Sequence, residues 1–333
     1  MKGIHVKPEL KKEILDTLER LKKKTGLPMK KFSEFLNVRL QKISAWNTNG
    51  DPKENLNIQK SHWSTPEERK AVEEFKKENM FVGYVRLTWM MIDKNVAFLS
   101  PSTVYRILVN VSLNNKWTKP AGEPKKTGFD QPGKVHEHWH TDISYVNFKG
   151  TFVYLISVLD GFSRAILAWD IRTTMESFDV QIVLWSACDK WLDVKNPDNP
   201  RLITDNGSQF LTKEFKETLK HFSINNVRTS VNHPQSNGKL ERFHGTIKSE
   251  IIRDMPKFTL EQMKKEIKEW IHFYNYERLH SSLGYVAPMD VIEGRKDSIL
   301  LERRRKLLEG KQRRKEYSLN AHRIFETNKT VTA

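Results

Sequence analysis

Apolar residues recur every three to four positions along the first 48 residues, which predicts helices with one buried face. Gly26-Leu27-Pro28 and Asn37 interrupt the pattern, so we expect three short helices separated by turns. A tight turn before the third helix is typical of the helix-turn-helix plan. The positions expected to face inwards are Leu10, Ile14, Leu18, Leu21, Phe32, Phe35 and Leu36, and the third helix is expected from Val38 to Trp46.

The same pattern predicts a second helical trio over residues 65–114. Ser64 or Thr65 before Pro66, and Ser100 before Pro101, have the sequence of an N-cap followed by a first-turn proline. In a helix-turn-helix module the start of the third helix meets base edges and phosphates; a plain helical spacer is the alternative. The candidate DNA contacts are Arg39 and Lys42 in the first trio and Ser102, Thr103 and Arg106 in the second.

From residue 136 the apolar positions change to a period of two and β-branched residues become frequent, which predicts strands. Asp160-Gly161-Phe162-Ser163 is a hairpin sequence between two of them. The order βββαβαβα indicates an α/β fold with a mixed sheet. Strands are expected at 139–146, 151–159, 165–171, 201–204 and 224–230, and helices at 177–192, 212–221, 238–253 and 260–276.

Charge is distributed unevenly along the 333 residues. Residues 1–140 carry 26 basic and 16 acidic side chains, residues 141–290 carry 19 of each, and residues 291–333 carry 12 and 6. Two basic flanks around a neutral centre indicate arms that bind a polyanion; surplus solubilising charge is the alternative. The single cysteine, Cys188, excludes an internal disulfide framework, and the apolar runs are too short to span a bilayer. We therefore expect a soluble, cytoplasmic protein.

Three carboxylates stand out by position. Asp142 lies inside a predicted strand, where an unpaired charge is disfavoured. Asp205 is the last residue of a predicted strand and precedes the turn sequence Asn206-Gly207. Glu241 lies in the first turn of a predicted helix. Carboxylates on adjacent strands and a nearby helix can hold the two divalent ions used in phosphoryl transfer, and hard oxygen ligands favour Mg²⁺ or Mn²⁺. Taken singly, each acid has a structural alternative. Asp142 could pair with a buried arginine, Asp205 could simply form the turn, and Glu241 could be an acid that the helix dipole favours at the start of a helix.

Polar and basic residues surround the last of these acids. The loop before Glu241 offers hydrogen-bond donors and, at Gly238, room for close backbone approach. Lys248 follows Glu241 by seven residues, about two helical turns, so the two side chains share a face. The candidate DNA contacts here are Asn206, His233, Gln235, Asn237, Lys239, Arg242 and Lys248.

Short motifs carry a family resemblance: HTD at 140–142, TDNG at 204–207, HPQSNGKLE at 233–241 and YNYERLHSSLGY at 274–285. Together they resemble the integrase-type catalytic core of bacterial insertion-sequence transposases and retroviral integrases, in which 35 residues likewise separate the second acid from the third. The segment from residue 83 to residue 106 looks like the helix-turn-helix region that precedes such cores.

The resemblance implies a ribonuclease-H-like fold: α/β, with a mixed five-stranded sheet and flanking helices, preceded by two all-α helix-turn-helix modules. It also implies that Asp142, Asp205 and Glu241 bind two Mg²⁺ or Mn²⁺ ions. The implied activity is that of a DNA transposase, which cleaves transposon ends to free a 3′-hydroxyl and joins it to target DNA. The implied partners are double-stranded DNA and further copies of the chain, at the bacterial nucleoid.

Three other interpretations remain open at this point. A DNA-binding regulator or domesticated protein could keep the fold without cutting, and a structure-selective nuclease could cut without joining. A zinc site at His136, His138 and His140 is disfavoured, because alternate strand residues diverge by ~6.6–6.8 Å.

On the transposase interpretation the segments are helix-turn-helix modules at 1–48 and 65–114, linkers at 49–64 and 115–134, the catalytic core at 135–255, its C-terminal helical part at 256–292, and a basic tail, helical or disordered, at 293–333.

Overall fold

The first helical trio is built around a small core. This computed structural model describes residues 8–48, 60, 62–113, 131–192, 199–228, 238–252 and 258–331. The trio consists of α1 (Pro8–Thr25), α2 (Met29–Phe35) and α3 (Leu40–Thr48). Leu18 and Ile43 are buried where α1 meets α3. Asn37 adopts a positive φ of 50°, which confirms the predicted turn.

Two details of the first trio differ from prediction. Phe35 is 90% exposed, Leu10 49% and Leu21 40%, so none of the three belongs to the inward face. Phe35 is the last residue of a seven-residue helix, too short to bury three apolar side chains against α1 and α3. Helix α3 begins at Leu40 rather than Val38, which leaves Arg39 in the turn before the helix.

The second trio is better packed. It consists of α4 (Pro66–Glu78), α5 (Tyr84–Asp93) and α6 (Pro101–Asn110). Thr65 and Glu68 form a capping box at the start of α4, and the Ser100 hydroxyl accepts from the Thr103 backbone N–H at 3.3 Å, as the N-cap prediction requires. Its core consists mainly of Val72, Leu87, Met91, Val104 and Leu108.

The sheet formed by residues 138–228 has the strand order β3-β2-β1-β4-β5. Strands β1, β2 and β3 pair antiparallel, while β4 pairs parallel to β1 and β5 parallel to β4. This mixed five-stranded sheet with flanking helices confirms the predicted ribonuclease-H-like fold class. The strands are β1 (His138–Phe148), β2 (Thr151–Asp160), β3 (Ile166–Arg172), β4 (Arg201–Thr204) and β5 (Asn225–Arg228).

Helices cover both faces of the sheet. On one face, Ile156 and Val158 of β2 pack with α7 (Ser177–Trp191) and α8 (Lys213–His221). On the other, Leu155 and Leu159 pack with α9 (Gly238–Glu250) and α10 (Leu260–Tyr276). Alternate residues of one strand thus serve two cores, as its period of two predicts. The face covered by α9 is the one that carries the candidate site.

The C-terminal segment is helical. After α11 (Pro288–Ile292), helix α12 (Lys296–Val331) packs against the second trio. Arg303 forms hydrogen bonds of 2.8 and 2.6 Å to the Asp93 carboxylate, and Arg314 one of 2.7 Å to Glu68. Part of the basic charge expected to face DNA therefore holds the fold together. Within the described ranges, no helix combines the length and apolarity needed to cross a bilayer.

Candidate active site

Asp142 lies on the face of β1 that is covered by α9. Its register partner on β2 is Ser157, and its Oδ1 accepts from the Ile143 backbone N–H at 2.8 Å. The side chain is 20% exposed. Its pKa is raised to about 6, by burial first and then by repulsion from Asp205 and Glu241. A carboxyl group with a raised pKa lies where the positive charge nearby is too small to stabilise its ionised form.

Asp205 follows β4 directly. The parallel register pairs His140 with Ile203, so two residues further along Asp142 and Asp205 lie at the same level on adjacent strands. The Asp205 Oδ1 accepts from the Gly207 backbone N–H at 2.9 Å, which fixes the turn after the strand. The predicted neighbour Asn206 is exposed. These two acids therefore come together as the sequence predicts.

Glu241 lies in the first turn of α9 and is exposed. Leu240, Phe243 and Ile247 anchor the helix in the core, with 0–2% of each residue exposed. Lys248 is half-buried, and burial lowers its pKa while the Asp142 carboxylate opposes that shift. The acid and the lysine that the helical spacing places on one face thus both act on Asp142.

The three acids are neighbours without forming a closed set of ligands. In the part of the chain that the structure describes, no three side chains of metal-ligating type are close enough to hold one ion. The loop that leads into α9 falls outside the described residues, and with it the predicted contacts His233, Gln235 and Asn237. The zinc alternative fails on geometry as well, because His136 precedes β1 and has a φ of +60°.

His244 is a site residue that sequence reasoning missed. It lies three residues after Glu241 on α9, and its Nδ1 is 3.8 Å from the Asp142 Oδ2. Its Nε2 is hydrogen-bonded to the Ser157 hydroxyl at 3.0 Å. Burial, followed by the charge of Lys248, lowers its pKa to about 3, so the imidazole is neutral. Its helical spacing from Glu241 was the available signal.

Two predicted DNA contacts interact with the β2–β3 hairpin. The Lys239 ammonium donates to the Gly161 carbonyl at 3.0 Å, at the β2–β3 hairpin. Arg242 is exposed, and its charge acts on Arg164 in the same hairpin. The expectation that Lys239, Arg242 and Lys248 all surround the carboxylates is therefore corrected, since Lys248 is the member of this trio whose charge acts on Asp142.

Four of the five candidate contacts on the two helical trios are exposed, and Thr103 is half-buried. Ser102, Thr103 and Arg106 lie in the first two turns of α6, and Arg106 Nε donates to the Ser102 carbonyl at 3.3 Å. Arg39 and Lys42 are exposed around the start of α3. Their side chains are accessible to a large ligand, and their contacts with DNA stay a prediction.

Two stretches of the chain match the family model described as "Integrase core domain", residues 132–234 and 223–288. The chain is 33% identical over 162 residues to a transposase for insertion sequence element IS904 of Lactococcus lactis, covering 48% of this chain and 61% of that protein. It is 29% identical over 224 residues to transposase InsD of Escherichia coli, covering 64% of this chain and 74% of that protein. The chain thus spans less than two thirds of the first relative and about three quarters of the second.

Among solved structures, the catalytic core domain of HTLV-2 integrase in complex with magnesium matches with a TM-score of 0.39 and 19% identity. The match covers 48% of this chain and 99% of that one.

Proposed function

We propose that this chain is a DNA transposase of integrase type, because two stretches of it match the integrase core domain and two relatives are transposases of insertion elements. Its proposed reaction cleaves transposon ends to free a 3′-hydroxyl and joins that hydroxyl to target DNA. The observation that carries the proposal is positional: Asp142 and Asp205 lie at the same level on adjacent strands, and Glu241 lies in the first turn of the helix that packs on β1. The negative charges of Asp205 and Glu241 also act on the buried Asp142 carboxyl group, and such a concentration of negative charge suits divalent cations.

The donor set fits two hard cations. Asp142, Asp205 and Glu241 would hold Mg²⁺ or Mn²⁺, since carboxylate oxygens are the ligands these ions prefer. When bound, the ions would polarise the phosphate and stabilise the charge on the attacking and leaving oxygens. Burial first, and then repulsion from Asp205 and Glu241, raises the pKa of Asp142, and bound cations would relieve that repulsion.

Protein groups beside the acids have separate roles. Lys248 supplies a fixed positive charge next to Asp142, suited to a backbone phosphate of the bound DNA. His244 is neutral and hydrogen-bonded to Ser157, so it fixes α9 against β2 and excludes water behind the Asp142 carboxylate. The dipole at the start of α9 favours the Glu241 carboxylate.

The remaining segments of the proposed transposase bind DNA. The two helical trios are proposed as helix-turn-helix modules that select the transposon ends, with Arg39, Lys42, Ser102, Thr103 and Arg106 as their contacts. Two ends have to be cut together, so the proposed active form is an oligomer on DNA. Because the proposed substrate is bacterial DNA, the proposed location of the protein is the nucleoid.

The test is strand transfer of a labelled terminal-repeat duplex into plasmid DNA with Mg²⁺. We expect the wild type to join the ends and Glu241→Gln to lose at least about 100-fold in rate while still binding the duplex. Glu261→Gln is the matched control, because Glu261 is also an exposed acid in the first turn of a helix. If the wild type bound the correct ends and was as inert as Glu241→Gln, a non-cutting regulator would replace the proposal. Cleavage without joining would indicate a nuclease.

A further inference from the structure

Four arginines from four elements surround His280 where the second trio meets the catalytic domain. Arg86 lies in the first turn of α5, Arg164 in the β2–β3 hairpin, Arg242 in α9 and Arg278 just after α10. The pKa of His280 is lowered to about 4, by burial first and then by the charges of these same four arginines. All four therefore lie around one imidazole, and we call them the arginine cluster.

Few acids balance this charge. The carboxylates that act on the cluster are Glu250 and Asp160. Glu250 is already bound to Arg278 through two hydrogen bonds of 2.6 and 3.2 Å. Asp160 already accepts from the backbone N–H groups of His136 and Ser163. In the described part of the chain, the other three arginines of the cluster form no ion pair with a carboxylate, so the cluster has a net positive charge.

In the β2–β3 hairpin, two positively charged side chains donate hydrogen bonds to the same backbone carbonyl oxygen. Arg164 Nη1 and Lys239 Nζ both donate to the Gly161 carbonyl, at 2.6 and 3.0 Å. Arg164 also has a φ of +67°, a backbone conformation that favours glycine or asparagine. The two cations that share this carbonyl oxygen repel each other, and a bound anion would relieve that repulsion.

Arg86 has an unsatisfied donor. Its Nε is buried and has no hydrogen-bond partner among the described residues. It also lies in the first turn of α5, where the helix dipole disfavours a cation. A buried N–H without an acceptor is costly, and a phosphate oxygen is the acceptor that the guanidinium fork suits best.

We propose that Arg86, Arg164 and Arg242 form a binding site for the backbone phosphates of DNA. The inference rests on the proposed function only in taking DNA as the ligand. Arg242 directly follows Glu241 on α9, so a strand held here passes beside the three acids. Arg86 belongs to the second trio, so the same phosphates bridge the trio and the catalytic domain.

The test measures affinity for a labelled duplex of arbitrary sequence by fluorescence anisotropy, from 0.05 to 0.3 M salt and with EDTA. The double variant Arg164→Gln/Arg242→Gln is compared with Lys265→Gln/Lys268→Gln, which removes the same charge from exposed positions on α10. Each phosphate contact contributes about 0.9 to the slope of log affinity against log salt. We expect the slope to fall by about 1.8 in the arginine variant, and to stay near the wild-type value in the control.

An equal slope for the two double variants would overturn the proposal. Arg242→Gln alone, at an exposed position, guards against misfolding and should lower the slope by about 0.9. EDTA removes any contribution of metal at the acids, so the outcome is independent of catalysis. If the wild type shows no strand transfer but the arginine variant still lowers the salt slope, the proposed function is rejected and this binding site is kept. If the wild type joins the ends normally but the arginine variant leaves the slope unchanged, this binding site is rejected and the proposed function is kept.

Discussion

At the scale of single residues, Asp142 is the carboxyl group most affected by the assembly of the site. Its pKa in the folded protein is about 6 against an ordinary 3.8. The folded state therefore binds this proton more tightly than the unfolded state does. The stability that protonation contributes is present below pH ~4 and is lost as the pH rises through about 6.

We predict that Asp142→Asn removes this pH dependence. In EDTA, the free energy of unfolding of the variant should exceed that of the wild type increasingly from pH 4 to pH 7, by up to about 3 kcal/mol, since each pKa unit corresponds to about 1.4 kcal/mol. Urea unfolding of both proteins at four pH values measures the difference. A difference that stays constant across this range would mean that Asp142 is ionised freely in the folded protein.

Residue positions were predictable from sequence where helix or strand geometry determines them. Asp142 and Asp205 come together because adjacent strands share a register, and Lys248 reaches Asp142 because seven residues make two helical turns. The direction of Lys239 was not predictable, because it depends on a hairpin carbonyl 78 residues away in the chain. Local spacing carries no information about such a partner.

At the scale of elements, a glycine controls how closely α12 approaches the second trio. A Cβ atom at Gly310 would lie 2.6 Å from the Phe98 carbonyl oxygen, closer than such atoms approach. The same oxygen accepts from Arg314 Nη1 at 3.0 Å. An alanine at this position would have to displace the helix and weaken that hydrogen bond.

We predict that Gly310→Ala destabilises the protein by about 1–3 kcal/mol, the usual cost of overpacking, despite the better helix propensity of alanine. Gly245→Ala in α9 is the matched control, because no atom lies within 4 Å of its added Cβ. The control should be neutral or stabilised by up to about 1 kcal/mol. Denaturant unfolding compares the two, and equal effects would contradict the close packing of α12.

Most elements follow from local pattern. The strand β1 was expected at 139–146 and is found at His138–Phe148, and α10 has the predicted bounds, 260–276. Caps and a period of two or of 3.6 are local properties, so one sequence suffices to predict them. The C-terminal segment was ambiguous because its stability as a helix comes partly from the second trio.

At the scale of the whole molecule, Asp93 and Arg303 join the second trio to the C-terminal helix. The Arg303 side chain is 3% exposed, and its guanidinium also donates to the Tyr285 carbonyl at 2.8 Å. One side chain of α12 thus contacts both α5 and the segment before α11. A contact of this kind fixes the relative position of modules that are distant in the chain.

We predict that Asp93→Asn lowers the free energy of unfolding by about 1–3 kcal/mol, the range for a charge-assisted hydrogen bond. The variant should also become more sensitive to proteases within α12, since its attachment to α5 is weakened. Glu302→Gln, which removes an exposed intrahelical partner of Arg305, is the control and should change stability by less than about 0.5 kcal/mol. Similar cleavage of both variants would contradict the role of Asp93 as an anchor.

The pairing of Asp93 with Arg303 also determines when the molecule can be completed. The two residues are 210 positions apart. At a synthesis rate of about 5–20 residues per second, α5 leaves the ribosome roughly 10–40 seconds before its partner helix exists. The second trio therefore spends that interval with this face uncovered, and it docks with α12 only after Arg303 has been synthesised. A nascent chain that stops short of Arg303 never acquires that contact.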